Sequence, residues 1–334
     1  MSRLSRWGAG LSAAAVLAVG AVPGRAADID PVLPAETESV VAVNLRQIVD
    51  ANLVKKYVLG QLKQMMAGND MAKQLEELGL DPLKDVDRVS VGSWGDGEDA
   101  NAVFVVRGRF DLEKMFAAAE AKAKTDGDKV KIVTEGKYKL IQVTIDNVPK
   151  PAFFTFADEK TIVGSLDKKQ TVAAAETAKA GGKPQLAKEL SSLVLKQDEK
   201  ASLFACAVVA KDKFKGLPPG VGGGIPGVDT AKIGEQLKSL RSYAMTLRLT
   251  DDVSLELDAG MADTDSANEF GGSLSQLIGT AKGFLPLIAG MQPNMKSLVD
   301  EITSTLKSSV KDKDVTLSLK LSGDAIGKAA GSGD

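Results

Sequence analysis

The chain has 334 residues, with 42 Lys and Arg against 44 Asp and Glu, no histidine and a single cysteine, Cys206. No imidazole is available as a base near neutral pH, no His/Cys zinc cluster can form, and one thiol makes no disulfide framework. The near-balanced charge, with both signs interspersed and no basic block interleaved with aromatics, excludes a nucleic-acid phosphate footprint.

The first 26 residues read as a secretory leader. Arg3 and Arg6 supply the positive start, residues 11–22 form a short Ala/Val/Leu-rich run, and Pro23 and Gly24 break any helix. Cutting between Ala26 and Ala27 places Gly24 and Ala26 in the small-x-small pattern of a signal peptidase site. The apolar run falls short of the roughly 20 residues that span a bilayer. No cysteine near the cut offers a lipid anchor. The expectation is an exported protein, periplasmic or extracellular, with no transmembrane segment after cleavage.

Losing the leader removes three arginines and no acid, so the formal net charge moves from −2 to −5. The 334 residues less 26 leave 308, enough for two domains or one composite domain. A hydrophobic content of 44% suffices for a core, and stability must come from burial because no disulfide is available. Aromatics at 4% argue against a carbohydrate-stacking platform.

Residues 39–45 form an apolar strand running into an amphipathic helix marked by Ile48, Val49, Leu53, Tyr57, Leu62, Met65 and Met66. A second helix over 71–78 stops at Gly79, and Asp81-Pro82 marks a turn. Strands follow at 88–94 and 102–110. Asp111 then caps a helix whose apolar positions are Leu112, Met115, Phe116, Ala119 and Ala123. Four shorter strands at 130–134, 138–145, 152–157 and 161–165 lead to an Ala-rich helix over 168–180, broken by Gly181-Gly182 and Pro184. That break is the domain boundary by composition: a first half over 27–182 and a second over 183–330.

The second half opens with a helix at 185–196 and a strand at 201–210. A Gly/Pro-rich loop over 216–227 leads to a helix over 230–240. Tyr243, Met245, Leu247 and Leu249, then Val253, Leu255, Leu257 and Ala259, alternate with polar residues about Asp251-Asp252. That is a hairpin with one face in the core. Helices interrupted by Gly and Pro fill 265–310, a strand ends at Leu321, and 331–334 reads as a disordered tail. The fold class is α+β. Two architectures fit: two ferredoxin-like β-α-β-β-α-β halves, or antiparallel strands in one long twisted sheet with helices packed on one face.

Few residues invite chemistry. Gly222, Gly224 and Gly227 match the dinucleotide fingerprint literally. Lys211 to Val221 separate them from the preceding strand, however, and Pro226 occupies the turn, so the match reads as a loop. Ser-x-x-Lys occurs at Ser165/Lys168, Ser304/Lys307 and Ser308/Lys311, without the Ser-Asp-Asn and Lys-Thr-Gly partners of penicillin-recognising enzymes. Asp96, Glu98 and Asp99 sit in a turn. Asp263, Asp265 and Glu269 open a helix, and no EF-hand spacing surrounds either group. Cys206 lies in an apolar run and reads as a small buried hydrophobe. No catalytic, cofactor-binding or metal-ligating residue is assigned, and no cofactor is expected. Residues 274–291 are apolar but interrupted by Lys282, Pro286 and glycines, which points to a core helix pair or to one wall of an apolar groove for lipid or peptide.

The opening Leu33-Pro-Ala-Glu-Thr-Glu-Ser-Val-Val-Ala-Val-Asn-Leu45, with its amphipathic helix and the later Ala262-Asp263-Thr264-Asp265-Ser266-Ala267, resembles a family of exported bacterial proteins of unknown function. Those pair a secretory leader with mixed α+β repeats. The resemblance implies the architecture and no activity. The functional expectation is a non-enzymatic binding or structural envelope module, whose partner is an unknown protein or an apolar ligand. A hydrolase using carboxylates or a Ser/Lys pair is one alternative, and a periplasmic lipid or peptide carrier is another.

Overall fold

Alternation of apolar and polar residues builds strands, and in this chain it builds a great many. The structure is a computed structural model that describes residues 27–67, 76, 79–96, 100–144, 150–210 and 230–331. Twelve strands lie in those residues. In the first half they are β1 (Ser39–Val43), β2 (Val86–Trp94), β3 (Asn101–Gly108), β4 (Val130–Glu135), β5 (Tyr138–Val143), β6 (Ala152–Asp158) and β7 (Thr161–Ser165). In the second they are β8 (Leu203–Val208), β9 (Leu240–Leu249), β10 (Val253–Met261), β11 (Lys307–Lys311) and β12 (Asp314–Leu321).

All twelve join in one sheet of order β11-β12-β10-β9-β8-β1-β2-β3-β7-β6-β5-β4. Neighbours pair antiparallel throughout. The two halves meet where β1 pairs β8, with Val41 opposite Ala205 and Ala42 opposite Phe204. Outward from that seam the order runs β1-β2-β3-β7-β6 on one side and β8-β9-β10-β12-β11 on the other.

This arrangement settles the two architectures left open by the sequence. In a ferredoxin-like unit a helix carries the chain across an intervening strand. Here β1 pairs β2 and β8 pairs β9 directly, although helical segments lie between them in sequence. The ferredoxin-like halves are therefore not formed. The periodicity that marks a strand says which face is apolar and is silent on which strand lies beside it. The single long antiparallel sheet is what forms.

Helices cover both faces, which corrects the expectation of helices on one face only. On the first face, α5 (Lys168–Ala180) and α6 (Lys188–Leu195) bury Val40, Ala42, Val103, Val105, Leu140, Val163, Phe204 and Cys206 in one cluster. On the second, α4 (Leu112–Thr125) buries Val86, Ile141, Phe156 and Ile162. Neighbouring residues of one strand, such as Leu140 and Ile141 or Ile162 and Val163, fall into opposite clusters. A strand covered on both sides reads as a continuous apolar run, which explains Thr161–Ser165, buried at every position.

Before those helices come three short ones. Helix α1 (Leu45–Asp50) leads through a π-helical turn (Val54–Val58) into α2 (Leu59–Ala67), and α3 (Pro82–Asp85) precedes β2. Ala51, Leu53 and Val54 pack with Leu249, Val253 and Ile326 at the turn end of the β9–β10 hairpin. The expected helix over 71–78 lies almost wholly outside the described residues. Gly79, at φ +75, adopts the left-handed conformation expected of a residue just past a helix end, its N–H donating to Glu76 O at 2.8 Å.

In the second half α7 (Thr230–Gln236) precedes β9. The interrupted helices expected over 265–310 form instead one 28-residue helix, α8 (Thr264–Met291), with Pro286 inside it, then α9 (Lys296–Thr305) and the edge strand β11. Asp263 caps α8 by accepting from Ser266 N at 2.8 Å. A last helix, α10 (Gly323–Ala329), capped by Ser322, follows β12. Of the expected tail, residues 332–334 lie outside the described residues.

Candidate functional site

Ser165, Ser304, Ser308 and Asp263, among the residues that invited chemistry, are held in structural roles. Ser165 is fully buried. Its hydroxyl donates to Asp167 O at 2.6 Å and meets Thr171 Oγ1 at 3.1 Å, while the Lys168 ammonium sits 5.5 Å over the Phe153 ring. Ser304 donates to Asp300 O at 2.9 Å within its own helix, and Ser308 meets Ser275 Oγ at 3.0 Å. Gly222, Gly224 and Gly227, and likewise Glu98, Asp99 and Ala26, lie outside the described residues. Asp263 is a helix cap, with its carboxyl held below the usual range by the Ser266 N–H. Among the described residues no group of three or more Cys, Asp or Glu side chains could hold a metal ion.

Cys206 is 1% exposed, and desolvation pushes its thiol up to about 12, with Asp258 adding to the shift. A thiol so placed is almost wholly protonated at neutral pH. At pH 8 it is expected to react with an aromatic disulfide reagent at least roughly a thousandfold more slowly than the same chain in denaturant. Comparable rates would show that the thiol is accessible.

Polar side chains of β9, β10 and β12 gather on the first face of the sheet and are largely satisfied there. Thr316 donates to Asp258 Oδ1 at 2.6 Å, Thr246 donates to Gln197 Oε1, and Arg248 pairs with Asp198. Burial, and next the Asp258 charge, raise the Glu256 carboxyl above the ordinary range. Asp258 and Asp198 are thus engaged by Thr316 and Arg248. No serine or lysine of the three Ser-x-x-Lys pairs joins them.

The surface feature that remains unexplained is apolar. Along one side of α8, Ala267 and Leu274 pack with Met261 and Val315, Gly271 lies against Val310, and Ile278 is buried. At about 100° per residue, Phe284, Leu287, Ile288 and Met291 form a second stripe, roughly a third of a turn away from the first. These four are 43%, 63%, 44% and 83% exposed. From Phe270 to Met291 the helix carries one charged side chain, Lys282. The sequence marked this segment as apolar. Only the packing of its first half shows which side is left over.

Sequence reasoning gave no role to residues 27–38, the segment that precedes β1. Ala27, Val32 and Leu33 are 1%, 4% and 1% exposed on the first face, and Arg107 grips Asp30 through bonds of 3.1 to 3.2 Å. Ile29, Val32 and Leu33 between acids and prolines were the available signal.

No protein-family model matches the chain, and no curated protein matches it. Solved structures do, among them crystal form I of TP0453, at 7% identity and TM-score 0.47, and crystal form IV of TP0453, at 8% identity and TM-score 0.45. The alignments cover 92% and 91% of this chain and 98% and 96% of the other. Among the described residues no helix is long and apolar enough to cross a membrane.

Proposed function

We propose that the chain is an exported, non-enzymatic binding module of the cell envelope that docks an apolar partner along the second stripe of α8. The observation that supports this reading is the stripe itself. Four large apolar side chains at i, i+3, i+4 and i+7 stand on one helix and are left in water, where burying each would contribute about 1.5–3 kcal/mol. Helix faces of this spacing are a recurrent means of engaging a hydrophobic groove. The protonated Cys206 thiol, and the engagement of Asp258 by Thr316 and of Asp198 by Arg248, support the non-enzymatic reading.

The test is native mass spectrometry of mature protein taken directly from the producing cell. A co-isolating mass is expected, and its loss in the double variant Leu287→Glu/Met291→Glu is expected without a change in thermal midpoint. Both positions are exposed, so each substitution should stay within about 0.5 kcal/mol. A clean unliganded mass, or a bound mass that survives both charges, overturns the docking surface. Turnover on an esterase, peptidase or phosphatase panel overturns the non-enzymatic reading.

A further inference from the structure

Helix α8 has two unlike halves. In its first half Ala267, Gly271 and Ile278 are buried. After Ile278 no residue of 279–291 is buried. Helix α9 packs against α8, but the half-buried positions of that stretch are Thr280, Ala281, Lys282, Leu285 and Ala289, among which Leu285 is the one large apolar side chain.

The backbone is weak in the same half. Pro286 has no N–H to donate to Lys282 O, and its ring crowds that carbonyl. Gly279, Gly283 and Gly290 are exposed, and a Cβ at each would meet nothing within 4 Å. Packing therefore does not require glycine at these positions. Gly271 differs, because a Cβ there would run into the Val310 side chain. Relative to alanine, each glycine tips the local balance about four- to fivefold from helix toward coil. Without tertiary packing, a helix shorter than roughly 12–15 residues is marginal in water.

We propose that α8 consists of an anchor over 264–278 and an arm over 279–291 that unwinds and recloses while the rest of the fold stays intact, and that an apolar partner docks by holding the arm closed. Phe284, Leu287, Ile288 and Met291 form one stripe only while the arm is helical. A partner's apparent affinity is then its intrinsic affinity scaled by the closed fraction, which the glycines and Pro286 keep low. The partner step rests on the docking reading above; the unwinding does not.

Amide hydrogen exchange of the mature full-length protein tests the arm. Protection is expected to drop by at least about a hundredfold from 271–278 to 287–291. The triple variant Gly279→Ala/Gly283→Ala/Gly290→Ala is expected to slow exchange over 287–291 by roughly a hundredfold, the product of three such steps. Gly272→Ala lies in the anchor with equally open space, and should change that exchange by less than about twofold. Even protection along α8, no slowing in the triple variant, or equal slowing by Gly272→Ala overturns the arm. For the partner step, the triple variant should retain more of the co-isolating mass on dilution than the wild type, and equal retention overturns it. A clean unliganded mass with the drop in protection intact overturns the docking surface and the partner step, and not the arm.

Discussion

Replacing Phe204 by alanine is expected to destabilise the protein by about 3–5 kcal/mol, the range for deleting a buried aromatic from a core. Phe204 is the largest of the fully buried side chains, at 1% exposure. It sits on β8, opposite Ala42 of β1 and Thr246 of β9, so the cavity opens beneath the strand pair that joins the halves. The Arg88 guanidinium lies 5.7 Å from its ring. Burial weakens the charged form of that guanidinium, and its Nε has no partner in the protein. Losing the ring removes both the packing and the cation's aromatic neighbour. Thermal unfolding should show a fall in midpoint of roughly 5–15 °C. Phe204→Leu, which keeps most of the volume, is expected to recover the greater part. A shift of a degree or two in the alanine variant would mean that the core at the seam is not packed as described.

The second large effect concerns the seam itself. β1 has five residues and pairs on both sides, with β2 and with β8. Val41, at its centre, stands opposite Val91 on one side and Ala205 on the other, so its amide serves one ladder or the other. Proline removes that donor and its ring clashes with the strand, which costs about 3 kcal/mol or more in a sheet interior. Val41→Pro is expected to uncouple the halves. Calorimetry should resolve two transitions where the wild type, with a single sheet across the seam, unfolds in one. Hydrogen exchange should accelerate in β1 and β8 before the outer strands. One unchanged transition in the variant would show that the halves are held together by something other than the β1–β8 pair.

Much of the local structure was legible in the sequence because its signals are local. The hairpin of Tyr243 to Ala259 was marked by alternation about Asp251-Asp252 and forms as β9 and β10 in that register, with Tyr243 opposite Ala259. The helix over 168–180 formed with the expected bounds, capped by Asp167 and ended by Gly181 at φ +62. Asp111 capped α4 as its position predicted, accepting from Lys114 N at 3.0 Å. Where the reading faltered, packing overrode a local preference. Pro286 and five glycines argue for breaks in α8, yet contacts of Gly271 with Val310 and Val315 hold its first half on the sheet. The edge strand Lys307–Lys311 has weak β character and forms because β12 presents a partner.

The candidate surfaces divide the same way. Residues 274–291 could be seen as apolar, but not that Phe284, Leu287, Ile288 and Met291 would face water.

What the residues determined by themselves were the things that depend on near neighbours: the lack of imidazole and of a disulfide, the alternation that marks the β9–β10 hairpin, the helix caps and the turns. What only the tertiary structure decided was which strand lies beside which, that helices cover both faces, and which apolar and polar groups are left without a partner. The reason is physical. Backbone hydrogen bonding and side-chain alternation act over a few residues, whereas strand order and leftover surface arise when distant segments compete to bury the same faces, and the outcome depends on the whole set at once.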